Sequence, residues 1–446
     1  MTKYQKYTEY NDSDVEWLGQ IPKHWTICRI KEKAQIINGY PFDSNKFDLS
    51  IGTPLVRIRD INDSRTQVYF KGAIPEEAFI FNSDILIGMD GDFNVCEWKG
   101  GKAALNQRVC CVRTKNSKFT KFLYYLLPTR MKILNDLTYF TTVKHLSSID
   151  VLKTVFALPI ETEFTQIVDF LDHETAKIDT LIVKQEKLIE LLKEKRQAVI
   201  NQAVTKGLNP NVKMKHSGME WLGEVPEHWE VCKIQYYAKI ESGHTPSKTN
   251  EKYWENCTIP WVSLNDSKQL RVVDYISDTK YKISELGLAN SSARILPKDT
   301  VVFTRDASIG LSAITTKEMA VSQHLIAWLP KKERLSPEFL LLIFYAMEKE
   351  FNRYTFGSTI KTIGMDDVSS LIAAFPSLAE QLDIVERCFN QFVIIDKSIE
   401  KSLALLEVLK EKRIALISAA VTGKIDVRDW QNPNKNNNQD NMELSA

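Results

Sequence analysis

The chain has no glycine or proline from 162 to 204, nor from 378 to 421. Two uninterrupted stretches of that length exclude turns and leave long helices as the reading. Other absences narrow the function. The seven cysteines include no C-x-x-C, and their number is odd. Neither a cysteine zinc site nor a full disulfide set is indicated, so reduced thiols in a cytosol are expected. The histidines are scattered without metal spacing, and no metal is expected. The longest fully apolar run, 339–347, falls short of a bilayer span. Residues 1–14 are polar and lack the apolar segment of a signal peptide. These features predict a cytoplasmic protein away from membranes. No G-x-x-x-x-G-K-S/T loop is present to cradle ATP phosphates. Also missing are an Asn-Pro-Pro-aromatic segment and the Gly-rich cofactor loop of an amino-methyltransferase. The chain is therefore expected to hold no cofactor and to house neither translocation nor methyl transfer. Charge is balanced at +1, which argues neither for nor against nucleic acid, because a neutral total can hide a basic face.

What the chain does contain is a second copy of itself. Trp17-Leu18-Gly19, Pro22, His24-Trp25 and Cys28 recur as Trp221-Leu222-Gly223, Pro226, His228-Trp229 and Cys232, displaced by 204 positions. Leu192-Lys193-Glu194-Lys195-Arg196 recurs as Leu409-Lys410-Glu411-Lys412-Arg413, displaced by 217, and Ala203-Val204-Thr205 recurs as Ala420-Val421-Thr422 at the same offset. The differing offsets mean that insertions lie in the first part of each repeat. A duplicated chain offers two similar surfaces related by pseudo-two-fold symmetry, which suits a target in two parts.

At 446 residues two or three domains are expected, and 43% apolar with 26% charged residues fits soluble globular protein. The first part of each repeat, 15–157 and 216–374, carries short β-branched and aromatic runs at 54–58, 85–87, 259–262 and 300–303. These predict strands, and Pro337 opens a predicted helix over 337–351. Helical segments follow at 158–215 and 375–430, and an Asn/Gln-rich tail at 431–446 is expected to be disordered. Within the helices, Ile178, Leu181, Ile182, Leu188, Leu191, Leu192 and Val199 form one apolar stripe; Ile395, Ile399, Leu405, Leu406, Leu409 and Leu416 form the other. Pro159 and Pro376 mark the helix starts, Gly207 and Gly423 the exits. The fold class is α+β.

The order of these parts resembles the specificity subunit of type I restriction-modification systems, over about 15–430. Trp-Leu-Gly-x-(Ile/Val)-Pro-x-His-Trp at 17–25 and 221–229 resembles the lead-in to that family's recognition domains. In the second copy, Ser242-Gly243-His244-Thr245-Pro246-Ser247, Tyr253-Trp254, Ile259-Pro260-Trp261-Val262-Ser263, Ser308-Ile309-Gly310 and Ser322-Gln323-His324 are similar to one subclass of such domains. Gly357-Ser358-Thr359-Ile360-Lys361 and Phe375-Pro376 resemble the approach to its helix. The first copy keeps Asn38-Gly39-Tyr40-Pro41, Asn106-Gln107-Arg108 and Thr142-Val143-Lys144-His145-Leu146. It lacks the Thr-Pro-Ser segment and has Gly91-Asp92-Phe93 in place of Ser-Ile-Gly. The resemblance implies two target-recognition domains separated by two long antiparallel helices forming a coiled-coil spacer. It also implies a non-catalytic role: placing two DNA methyltransferase subunits, and in some systems restriction/translocase subunits, on double-stranded DNA with a two-part site. The divergence between copies implies that they read different sequences.

Candidate DNA-binding residues follow from position. Arg57, Arg59 and Asp60, and in the second copy Ser263, Asn265 and Asp266, come directly after matching predicted strands. One reading is a plain polar turn. The other is a loop presenting side chains to bases, Arg to guanine and Asn or Gln to adenine. Asn106, Gln107, Arg108, Gln323 and His324 are read in the same two ways. Tyr40, His145, Lys248 and Arg305 complete the set, and Lys144 and Lys361 occupy matching positions suited to phosphate. The tryptophans of the lead-in and Cys28 and Cys232 are expected in the core. Two alternatives stay open: a metal-dependent endonuclease using Asp84, Glu97 and Lys99, of which the second copy keeps only Asp299, and a coiled-coil scaffold without a DNA role.

Overall fold

The computed structural model describes residues 4–63, 65–137, 144–354 and 362–433. The motif residues 142–143 and 357–361, Lys361 among them, and the tail from 434 lie outside that set. The chain divides into two compact units, Met1–Gln185 with Ala404–Ala446, and Glu186–Leu403. The division falls inside both long helices, Glu161–Lys206 and Leu378–Val421, so each unit owns one end of each. No helix among the described residues is long and apolar enough to cross a membrane.

In the first unit a four-stranded antiparallel sheet runs in the order Val95–Glu97, Ile85–Gly88, Val109–Arg113, Gln35–Asn38. A second sheet, of five short strands, contains a parallel pair, Thr53–Val56 beside Ala103–Leu105. The helix Ser117–Leu137 was not evident from sequence, because Pro128 breaks its pattern. In the second unit the main sheet runs Ala238–Ser242, Leu325–Pro330, Val301–Thr304, Ser312–Thr315, Tyr275–Ile276. The strand Ile259–Val262 pairs in parallel with Ala320–Val321. The helix Pro337–Ala346 buries six consecutive residues, 339–344, as a helix apolar all round must. All four predicted strands fall within one or two residues of expectation; the helix starts at Pro337 as expected but stops at Ala346, short of the expected 351.

The repeated lead-in motif has one job in both units. A short hairpin, Tyr10–Asp12 with Gln20–Pro22, delivers His24 and Trp25 to the first turn of the first long helix. There Trp25 Nε1 donates to Glu163 at 2.9 Å and His24 Nε2 lies 2.7 Å from the other carboxylate oxygen. In the second unit Trp229 Nε1 donates to Glu380 at 3.1 Å and His228 Nε2 sits 2.9 Å away. The opposite long helix closes each cluster. Gly423, at φ +72°, would bring a Cβ to 2.3 Å from Pro22 Cδ, and Gly207, at φ +68°, to 3.1 Å from the Trp229 ring. Trp25 and Trp229 are buried as expected, whereas Trp17 and Trp221 are half-buried against the same cores; Cys28 is buried, and Cys232 only half so.

The long helices pair head to tail. In the first unit Ile178 shares a core with Leu409 and Leu416; in the second Ile200 and Val204 share one with Ile384 and Cys388. The helices are therefore antiparallel. The inward seam keeps alternating four- and three-residue steps: 178, 182, 185, 189, 192 on one helix and 395, 399, 402, 406, 409 on the other. The stripe read from sequence needs correction here. Leu181, Leu188, Leu191 and Leu405 are more than two-fifths exposed, while Ile189 and Ser402 are buried. A two-helix seam is narrower than the apolar face of a helix in a globular core. Two ion pairs related by the repeat cross it. Arg413 donates to both Asp179 oxygens at 2.7 and 3.2 Å, and Arg196 Nε lies 3.3 Å from Asp396.

Two outcomes test this frame. Glu163→Ala leaves a buried indole N–H without an acceptor and should cost about 1–3 kcal/mol in urea unfolding. Glu380→Ala should cost less, because the Glu380 side chain is 29% exposed against 2% for Glu163. Equal losses would contradict the burial argument. Gly423→Ala should also cost more than Gly19→Ala. Both positions have positive φ, but Gly19 has nothing within 4 Å of its Cβ position. Overpacking adds about 1–3 kcal/mol to the strain, read as a larger fall in Tm.

Candidate nucleic-acid interface

Parallel pairing puts the ends of two strands and the starts of their loops side by side. In the first unit this brings 57–60 next to 106–108, since Asn106 N donates to Val56 O at 3.0 Å. The antiparallel sheet adds three more segments at the same edge. Tyr40 N donates to Leu105 O at 2.8 Å, Met89 N to Arg108 O at 3.0 Å, and Leu146 N to Met89 O at 2.7 Å. Gly39 has to be glycine, because a Cβ would stand 1.9 Å from Asn106 O. Five segments carrying Tyr40, Arg57, Arg59, Gln107, Arg108, Lys144 and His145 thus form one loop cluster.

The second unit repeats these bonds one for one. Ser322 N donates to Val262 O at 2.9 Å, Arg305 N to His324 O at 3.0 Å, and Ile363 N to Arg305 O at 3.0 Å. Gly243 stands where Gly39 does, its absent Cβ 2.2 Å from Val321 O. Backbone register, independent of side chains, therefore matches Arg57 with Ser263, Arg59 with Asn265, Gln107 with Gln323, Arg108 with His324 and Asp90 with Asp306.

The side chains divide by burial. Asp60 accepts from Arg57 N at 3.0 Å and from the Arg57 guanidinium at 2.9 and 3.2 Å. Asp266 accepts from Ser263 N at 2.8 Å and Lys280 N at 2.7 Å. Asp60, Ser263 and Asp266 are all buried. These three are corrected from candidate readers to braces of the turn, because buried groups filled by internal bonds have nothing left for a base edge. Arg57 is largely committed to the same brace. Arg59, Asn265, Gln107 and Gln323 are exposed, and so is Lys248 on the loop after Gly243. Tyr40 is exposed and leans on Phe42, ring centroids 5.1 Å apart. Asn106 and Lys144 are half-buried, with Lys144 Nζ donating to Asn135 Oδ1 at 2.7 Å. Arg305 is half-buried, and its Nε is enclosed without a hydrogen-bond partner.

Sequence reasoning missed two residues. Asp90 accepts from Arg108 Nη1 at 2.7 Å and faces His145 Nδ1 at 2.7 Å; Asp306 faces His324 Nδ1 at 2.6 Å. Burial pushes the Asp90 carboxyl up, but the bonds from His145 and Arg108 outweigh it and hold the group below its ordinary value. The backbone register pairs Asp90 with Asp306, one position away from the pairing obtained by setting Gly91-Asp92-Phe93 against Ser308-Ile309-Gly310, so the sequence alignment hid the two aspartates.

The nuclease arrangement is not assembled. Arg113 clamps Asp84 through Nε at 2.8 Å and Nη2, and the pair raises that guanidinium further. Glu97 accepts from Lys121 at 2.7 Å, with Lys99 at 3.6 Å. A carboxylate already neutralised by arginine is a poor Mg²⁺ ligand. Among the described residues no group of three or more His, Cys, Asp or Glu could hold a metal ion.

Known proteins give this layout a family. The model of the type I restriction modification DNA specificity domain matches residues 22–191 and again 226–408. The EcoBI specificity subunit of the type I restriction enzyme from Escherichia coli is 27% identical over 96% of this chain and 91% of its own length. The MjaVIII specificity subunit from Methanocaldococcus jannaschii is 24% identical over 95% and 98%. A solved chain from work on complex assembly and conformational transition of the type I R-M system shares the fold. It has a TM-score of 0.67 and 17% identity, over 90% of this chain and 98% of its own. Matched twice, once on each repeat, the chain belongs to the type I restriction-modification DNA specificity family and serves DNA sequence recognition, not catalysis.

Proposed function

We propose that this chain reads a two-part, asymmetric site on double-stranded DNA in the cytoplasm, one part with each loop cluster, and places two methyltransferase subunits on it. Restriction/translocase subunits join where the system contains them. One observation carries the reading. The backbone bonds that join the segments of one cluster recur in the other, yet the clusters differ at their outward positions: Arg59 against Asn265, Arg108 against His324. Equal scaffolds with unequal side chains suit two different half-sites. Arg59, Gln107, Arg108, Asn265, Gln323 and His324 supply base contacts, since guanidinium groups match guanine and carboxamides match adenine. Lys144, Lys248 and Lys361 supply phosphate contacts, which position without specifying. Tyr40, Asn106, His145 and Arg305 line the same clusters.

The test is exchange. Replacing residues 216–374 by the matching domain of a relative, in cells that also make the modification subunit, should change one half of the methylated motif and keep the other. Methylome sequencing reads the result, and a change in both halves or in neither contradicts two independent readers.

The long helices act as a ruler for the gap between half-sites. Seven residues added near Lys187 and seven near the equivalent Ala404 would keep both seams in phase. Each helix lengthens by roughly 10 Å at about 1.5 Å per residue. With a DNA rise of about 3.4 Å, the methylated motif should gain about three base pairs of spacer between unchanged half-sites. A stable double insertion with an unchanged spacer would refute the ruler.

A further inference from the structure

Exposed cations on loops usually gain affinity from phosphate rather than information from bases. Arg108 and His324 are unlike that ordinary case. Their side chains are 56% and 42% exposed, but each stands on a carboxylate about four-fifths hidden, Asp90 at 20% and Asp306 at 19%. The positions match through the bonds Met89 N to Arg108 O and Arg305 N to His324 O, both 3.0 Å. The third wall matches too: Asp90 bridges to His145 and Asp306 to Thr362, the residues that precede Leu146 and Ile363.

We infer that Asp90 and Asp306 are positioning residues for two equivalent reading heads, Arg108 with His145 in the first domain and His324 in the second, and so set one base choice in each half-site. The inference rests on the two-part recognition proposed above.

Three physical points support it. The Asp90–Arg108 pair has no net charge, so it offers little to a phosphate and is better matched to a neutral base edge. The carboxylate uses Arg108 Nη1 and leaves the other guanidinium donors for guanine O6 and N7. It also restrains a long side chain whose freedom would otherwise be lost on binding. In the second domain Asp306 holds His324 Nδ1, so Nε2 alone is presented outward. Arginine in one head and imidazole in the other would select different bases from the same loop position.

The experiment uses the full chain co-expressed with its modification subunit and reads methylated motifs by sequencing. Asp90→Asn should relax one base position in the half-site of the first domain by about ten-fold in preference, the size expected for one lost bidentate contact, and leave the other half-site intact. Asp306→Asn should do the same in the second half only. His324→Arg should move its position toward guanine, and should lose that effect when combined with Asp306→Asn. If an aspartate variant does not fold, Arg108→Lys, which keeps the charge but not the fork, should show the same single-position relaxation. Motifs left unchanged while methylation falls evenly, or a shift toward guanine that survives Asp306→Asn, overturn the inference. If the wild-type chain yields no two-part motif, the recognition reading itself fails, and that result is visible before any variant is made.

Discussion

A single carboxylate at the first turn of each long helix holds the frame together. Glu163 and Glu380 accept from an indole on one oxygen and face an imidazole on the other. The donors come from the lead-in that opens each recognition domain, while the acceptor belongs to the helix that closes it. Each domain is thereby drawn shut at its base. The opposite helix ends in the same cluster, at Gly423 or Gly207, where a side chain would collide with the lead-in. Head, tail and lead-in meet at one point. The acceptor also suits its place electrostatically, since a carboxylate in the first helical turn faces the positive end of the helix dipole.

The helix seam obeys a second constraint. Antiparallel helices with apolar seams can slide by a heptad at little cost, so something must fix register. Arg413 with Asp179 and Arg196 with Asp396 do so, related by the same 217-residue offset that relates the sequence repeats. Arg196 adds a stacking contact, its guanidinium carbon 4.1 Å from the Phe392 ring centroid. Such pairs contribute little net stability when partly exposed. Their effect is to make every shifted pairing worse by leaving charges unmatched.

How far these features could be read from sequence follows from their range. The strand at 85–88 and the long helices were legible because local composition and the absence of glycine and proline decide them. The duplication was legible because short motifs recur residue for residue in the same order. The seam was read one residue wide of the truth at Leu188, since Ile189 beside it is equally apolar and only the four-three period separates them. Glu163 and Glu380 were invisible as clamps, because a glutamate in a helix full of glutamate carries no local mark. Asp60 and Asp266 looked like readers because a polar residue after a strand has the same spelling whether it turns inward or outward. Burial, a tertiary property, separated the two readings.

That same separation explains how one frame can carry two specificities. The bonds that assemble each loop cluster run between backbone atoms, as in Asn106 N to Val56 O and Ser322 N to Val262 O. They do not depend on the identity of the side chains at 59, 108, 265 or 324. The carboxylates that brace the turn, Asp60 and Asp266, are the same residue in both copies and are buried. Positions that hold the loop and positions that face outward are therefore different positions. An outward residue can change without cost to the fold, and a brace can stay fixed without limiting what is read. Asp90 and Asp306 occupy the boundary between the two classes: constant in both copies like a brace, yet in contact with the outward residue whose identity varies.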